Sequence, residues 1–178
     1  MKLNYKRTFF VGMAFLSISA FWQMYDNIIP LILQNTFHLN ETIIGAIMAM
    51  DNVLAVFLLP VIGTMSDKVD TKMGKRTPFI IGGTFAAAIC MMLLPLADHY
   101  KMLGLFIVAL ALTLIAMAMY RSPAVALMPD LTPKPLRSSA NAVINLMGAV
   151  GAIYALILIR LLVKKEAHPS YLPVFLGV

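Results

Sequence analysis

Residues 43–79 read IIGAIMAMDNVLAVFLLPVIGTMSDKVDTKMGKRTPF, and the way this stretch divides decides the fold. Its first part, residues 43–62, carries a single charge, Asp51, beside a single amide, Asn52. About 20 apolar residues in a helix cross the hydrocarbon core of a bilayer, and a helix satisfies its own backbone hydrogen bonds there. At Gly63 the character changes. Asp67, Lys68, Asp70, Lys72, Lys75 and Arg76 follow within a few residues, and Pro78 ends the run. A membrane span gives way to a charged loop.

Working outward, four more segments have the same apolar length: residues 9–33, 79–97, 102–120 and 138–163. The only formal charges inside the five segments are Asp26, Asp51 and Arg160. No period-2 alternation runs through them, so helices are expected rather than barrel strands. The connections hold the turn formers Pro78, Pro123, Pro129 and Pro133, and a bend is expected where Arg121 and Ser122 precede Pro123. Residues 172–178 are apolar but too short to span, and read as the start of a sixth helix. The composition agrees. Of 178 residues 61% are apolar and 12% charged, about half the roughly 25% charge of soluble domains, and the mean hydropathy is +0.86. A soluble domain of this size must face water over too much of its surface to hide such a chain, and disordered chains are apolar-poor. The expected fold is an all-α integral membrane bundle over residues 1–178, with five transmembrane helices and the beginning of a sixth.

The basic residues set an orientation. With the N-terminus in the cytoplasm, Lys2, Lys6, Arg7, Lys68, Lys72, Lys75, Arg76, Lys134 and Arg137 lie inside. Lys101, Lys164 and Lys165 lie outside, and Arg121 and Arg160 stand at span ends. The positive-inside rule then gives a multi-pass protein of the cell membrane with a cytoplasmic N-terminus. The net charge of +6 is accounted for by topology, so no nucleic-acid partner is expected. Cys90 is the lone cysteine and cannot form an intrachain disulfide. No zinc spacing, phosphate-binding glycine loop or nucleophile elbow occurs. The chain reads as no enzyme, with no metal and no cofactor.

Polar side chains inside a span are expensive and so are functional candidates. On the first span Ser19, Gln23, Asp26 and Asn27 recur at helical spacing and share one face, with Pro30 beyond them. The second span carries Asp51 and Asn52 near its middle. Counting 1.5 Å per residue puts Asp26 roughly 8 Å from the midplane, so the two carboxyls fall at similar depth. A carboxyl held away from water takes up a proton more readily, which suits proton coupling; a fixed partnership with an arginine is the alternative. On the fifth span Asn141 and Asn145 continue into Gly148 and Ala152. The small residues suit close helix packing, while the amides suit either an interhelical seam or a solute. The uncharged third span reads as scaffold or lipid-facing. Arg121 suits either snorkelling to the interface or a charged contact inside.

The loop Gly63, Asp67, Lys68, Gly74, Lys75 and Arg76 resembles the signature loop of the major facilitator superfamily. Four extra residues between Lys68 and Gly74, followed by Pro78 and Phe79, are similar to the form in the sugar–cation symporters. These are the glycoside–pentoside–hexuronide group and the sucrose–proton symporters. A second stretch, from Arg121 through Asp130 and Leu131 to Arg137, Ala140 and Asn141, is similar to the sucrose-symporter pattern. The resemblance implies the N-terminal half of a twelve-helix carrier that alternates access by rocking two six-helix halves. It implies a cytoplasmic gate at Gly63, Asp67, Lys68, Gly74, Lys75 and Arg76, with Asp130 and Arg137 in the matching loop. In the melibiose-type branch sodium is held by carboxylates, and Ser19, Ala55, Leu59 and Arg121 stand at those positions here. The implied coupling ion is a proton rather than sodium.

The leading expectation is a secondary active transporter, the N-terminal half of a proton-coupled carrier for a di- or oligosaccharide. Its substrate or proton-binding residues would be Gln23, Asp26, Asn27, Asp51, Asn52, Arg121, Asn141 and Asn145. Its partners would be a small sugar, the lipid bilayer and a C-terminal half in the same polypeptide or a second chain. The alternatives are an efflux carrier for another small solute, whose cavity face should be more aromatic and apolar, and a truncated non-transporting membrane protein that pairs with a second chain.

Overall fold

The structure, a computed structural model, describes residues 5–71, 74–163 and 169–178. Lys2, Lys72, Lys164 and Lys165 of the charge count lie outside these, as does the side chain of Arg7. The described elements are all helical: α1 Tyr5–Asn35, α2 Glu41–Met48, α3 Met50–Lys68, α4 Thr77–His99, α5 Leu103–Leu131, a short 3-10 turn Lys134–Leu136, α6 Arg137–Leu162 and α7 Leu172–Gly177. Five stretches among them are long and apolar enough to cross a membrane, with α2 and α3 together making the second.

Local chemistry explains several ends. Asn40 caps α2 by accepting the Ile43 N–H at 2.9 Å, satisfying one donor that the first turn leaves free. Lys101 closes α4 at a φ of 52°: its N–H reaches the Asp98 carbonyl and the Met102 N–H reaches that of Ala97, both at 3.0 Å. This is the left-handed closure common at helix C-termini. Pro78 sits in the first turn of α4, where a missing N–H costs nothing.

Two features differ from the sequence expectation. The fourth span does not end near Tyr120: α5 runs on through Pro123 and Pro129 to Leu131. Each proline removes one donor, and a membrane helix tolerates this where neighbouring groups take up the freed carbonyls. The second span is interrupted at Ala49, two residues before Asp51.

The helices pack with α1 against α6 and α4 against α5, while α3 and α1 both lean on α5. Small residues set these approaches. A Cβ at Gly83 would stand 2.7 Å from the Tyr120 nitrogen of α5, and one at Gly151 would fall 2.9 Å from the Leu16 Cα of α1. The core runs along α1 through Met24, Tyr25, Ile28, Ile29, Ile32 and Leu33. Phe106 and Leu110 of α5, Leu94 of α4 and Phe175 of α7 meet it. Helix α4, the third span, buries Gly83, Ala87, Met91 and Leu94 against its neighbours and leaves Ile81, Phe85 and Ile89 exposed.

Candidate functional site

Two polar clusters stand out against this apolar frame. The first is at the end of the bundle where α3 and α5 finish and α4 begins. Arg76, just before α4, reaches three ways. Its Nη2 lies 2.8 Å from Asp67 Oδ1, its Nε donates to Asp130 Oδ2 at 2.5 Å, and its Nη1 donates to Ser66 Oγ at 3.3 Å. The Arg76 side chain is 13% exposed, while Asp67 and Asp130 are 59% and 52% exposed. A planar guanidinium holds separate acids in a fixed fork that an ammonium cannot copy. Ser66, fully buried, donates to the Gly63 carbonyl at 2.8 Å. Gly63 lets α3 approach α5, where a Cβ would meet Ser122 Oγ at 3.4 Å. Ser122 in turn donates to the Leu59 carbonyl at 3.1 Å.

Of the other gate residues, Gly74 takes a φ of 98° in the turn closed by Thr71. Only glycine adopts that conformation without strain. Arg137 is not in the cluster. It closes the end of α5 by donating to the Pro129 carbonyl at 2.9 Å and the Thr132 carbonyl at 3.3 Å. Lys68 and Lys75 are exposed, and among the described residues neither forms an ion pair.

The second cluster lies where α1, α3 and α5 meet. Asp51 and Arg121 line one small cavity of about 20 Å³ together with Trp22, Leu54, Ala55, Leu59, Leu114 and Ala118. The Arg121 guanidinium sits over the Trp22 ring, 5.4 Å from its centroid, within cation–π range. The Trp22 Nε1–H is buried and has no partner among the described residues. Asp51 Oδ1 accepts the Asn52 N–H at 2.6 Å and Asn52 Nδ2 at 2.9 Å. The Tyr25 hydroxyl, next to Asp26 on α1, donates to the Met48 carbonyl at 3.4 Å and so sets this part of α1 beside the α2–α3 junction that carries Asp51. Asn27 donates to the Gln23 carbonyl at 2.7 Å, and Asp26 and Asn27 are exposed.

Other polar residues of the spans take different places. Ser19 faces Gly148 across the α1–α6 seam, where a Cβ at the glycine would lie 3.0 Å from its Oγ. Asn141 and Asn145 are exposed on α6, away from the Asp51 cavity. Among the described residues no group of three or more metal-ligating side chains assembles.

The charged end cluster, the five spans and the small-residue crossings now meet an independent finding: the family profile of the Major Facilitator Superfamily matches residues 11–178. The chain belongs to this superfamily. One relative of this facilitator chain is the sucrose transport protein SUC3 of Arabidopsis thaliana, 33% identical over 113 residues. That alignment takes in 53% of this chain and 19% of the relative's length. No solved structure gives a significant match.

Sequence reading missed several members of the facilitator site. Trp22 and Tyr25 stand in an apolar run and pass for filling, although their spacing from Gln23 and Asp26 was a usable signal. Ser66 differs from any interhelical serine only by preceding Asp67. At the opposite end of the bundle, Thr36 Oγ1 donates to Asp98 Oδ1 at 2.6 Å, tying α1 to α4, and nothing in the sequence connects two residues that far apart.

Proposed function

We propose that the chain is the N-terminal half of a secondary transporter that takes up a sugar of the di- or oligosaccharide class together with a proton. The convergence of Asp51, Arg121 and Trp22 where α1, α3 and α5 meet, with Asp26 exposed nearby on α1, carries this reading. Carboxylates and amides hydrogen-bond hydroxyls, and an indole offers a flat apolar face to a sugar ring. Gln23, Asn27 and Asn52 stand beside the acids as further donors and acceptors. The sugar class is supported by the loop resemblance and by the relative named for sucrose. Two acids, with one arginine near, form a set whose net charge changes by one when a proton binds. Sodium suits this set less, since Ser19, Ala55 and Leu59 offer no carboxylate.

In this reading a second six-helix half, in the same polypeptide or in another chain, covers the exposed Asp26, Asn27, Asn141 and Asn145 and closes a central path. The Arg76 cluster then lies on the cytoplasmic side of the cell membrane, with the N-terminus. Its ion pairs hold that side in one arrangement until the halves rock. Gly63 and Gly74 shape it, Arg137 buttresses the end of α5, and Lys68 and Lys75 add surface charge. The test is uptake of labelled disaccharides by vesicles containing the full-length protein. Uptake should rise with an inward proton gradient and be lost on combining Asp26→Asn with Asp51→Asn. Gradient-driven uptake that persists in the double variant refutes the coupling.

A further inference from the structure

An unbroken α-helix joins each carbonyl to the N–H four residues on. In the second span this ladder lapses at Ala49, where α2 ends and α3 begins. The bonds flanking the lapse stand: Ala49 N–H to the Gly45 carbonyl at 2.9 Å, and Val53 N–H to the Ala49 carbonyl at 3.2 Å. The Asn52 N–H, which helical geometry assigns to the Met48 carbonyl, donates instead to Asp51 Oδ1 at 2.6 Å. The Met48 carbonyl accepts from outside its own helix, from the Tyr25 hydroxyl of α1 at 3.4 Å. Breaks in helices usually trace to proline or glycine, and residues 46–52 contain neither. The feature present is a carboxylate that competes for a backbone donor, as aspartate side chains do.

We propose that this exchange of partners is a switch set by the charge on Asp51, with Tyr25 as the positioning residue that holds the broken form. It deepens the proton-coupling reading, on which its role in transport rests. The ionised carboxylate holds the Asn52 N–H by a charge-assisted bond, about twice as strong as a neutral one. When Asp51 takes a proton from solution, one O–H bond forms and no other covalent bond changes. The neutral carboxyl is the weaker acceptor, so the Asn52 N–H returns to the Met48 carbonyl. The ladder closes, and the Tyr25 hydroxyl loses its acceptor. Among the described residues, the titratable groups facing Asp51 are Tyr25 and Asp26 from α1 and Arg121 from α5. The acid of α2, Glu41, is in that helix's first turn, far from the break. A proton arriving at Asp51 thereby re-aims α2 against α3 and α1 rather than changing charge alone.

The experiment is amide hydrogen exchange, resolved to single residues and corrected for intrinsic rates, on the full-length protein in lipid nanodiscs. Asp51→Leu removes the competing acceptor, and Asp51→Asn keeps an uncharged one. The charge-assisted bond should protect Asn52 most in the native protein. In Asp51→Leu the Met48 carbonyl takes over the N–H, so Asn52 should stay protected and exchange only about tenfold faster, roughly the difference of one weaker hydrogen bond. Asp51→Asn should fall between. Adding Tyr25→Phe to Asp51→Leu frees the Met48 carbonyl and should slow Asn52 relative to Asp51→Leu alone. An Asn52 amide that exchanges at the unprotected rate in Asp51→Leu overturns the switch, whatever uptake does. Protection of Asn52 in Asp51→Leu, with uptake indifferent to the proton gradient, upholds the switch and removes the coupling reading instead.

Discussion

Gly82 and Gly83 are neighbours in α4, and the structure predicts opposite outcomes for alanine at each. Among the described residues, a Cβ at Gly82 meets nothing within 4 Å. There Gly82→Ala gains only the lower backbone entropy of alanine in a helix, about 0.5–1 kcal/mol. A Cβ at Gly83 would stand 2.7 Å from the Tyr120 nitrogen and 3.0 Å from the Tyr120 Cα and the Met119 carbonyl carbon. Comfortable contacts between such atoms are about 3.5–4.0 Å, and backbone cannot rotate away as a flexible side chain can. Helices α4 and α5 must therefore part by roughly 0.5–1 Å along their seam. Overpacking of this kind costs about 1–3 kcal/mol, against the same propensity gain. The net is a loss of about 1–2 kcal/mol at Gly83 and a small gain at Gly82. The displacement also reaches Tyr120, whose hydroxyl lies 2.6 Å from Ser17 Oγ and 3.0 Å from the Ala14 carbonyl. The assay is heat-dependent loss of the folded full-length protein in detergent, followed by fluorescence-detected size exclusion. Gly83→Ala should lose its folded peak at a lower temperature than the native protein and Gly82→Ala at an equal or higher one. Equal behaviour of the two variants would refute the packing argument.

Other expectations concern single contacts. Arg76→Gln should destabilise by about 1–2 kcal/mol, because Asp67 and Asp130 then face each other without their shared cation, the half-exposed acids keeping the figure low. Arg76→Lys should recover less than half of that in the same melting assay, since one ammonium cannot form the fork. Thr36→Val keeps the shape but leaves the half-buried Asp98 without its donor, and a loss of about 1–2 kcal/mol is expected. Tyr120→Phe removes the hydroxyl shared with Ser17 and Ala14 and should cost about 1 kcal/mol, with Ser17 still satisfied by the Ala14 carbonyl at 3.0 Å.

How far the site could be read in advance varied with how local its cause is. Asp26 and Asp51 at similar depth follow from counting residues along two helices, and the Tyr25–Met48 contact sets those helices side by side near these positions. Arg121 over Trp22 does not follow from counting, because it depends on how α5 is rotated against α1. The extension of α5 past Tyr120 was hidden by Pro123 and Pro129, which end helices in water but not where neighbouring groups satisfy the freed carbonyls. The gate cluster was half legible. Gly63, Asp67, Arg76 and Asp130 do assemble, whereas Arg137 turns to the end of its own connection and Ser66 joins unannounced.

By itself the sequence determined the class of the protein, the number of apolar spans and which polar residues lie within them. Those properties are sums over adjacent residues: the length of an apolar run must match the thickness of a bilayer, whatever the run later touches. Only the tertiary structure decided which polar residues meet. That depends on the rotation and crossing of whole helices, set here by backbone approaches at Gly83 and Gly151. The same crossings put Arg121 and Trp22 beside Asp51 and left Asn141 and Asn145 on an open face, because a contact across helices rests on atoms that no local stretch of sequence contains.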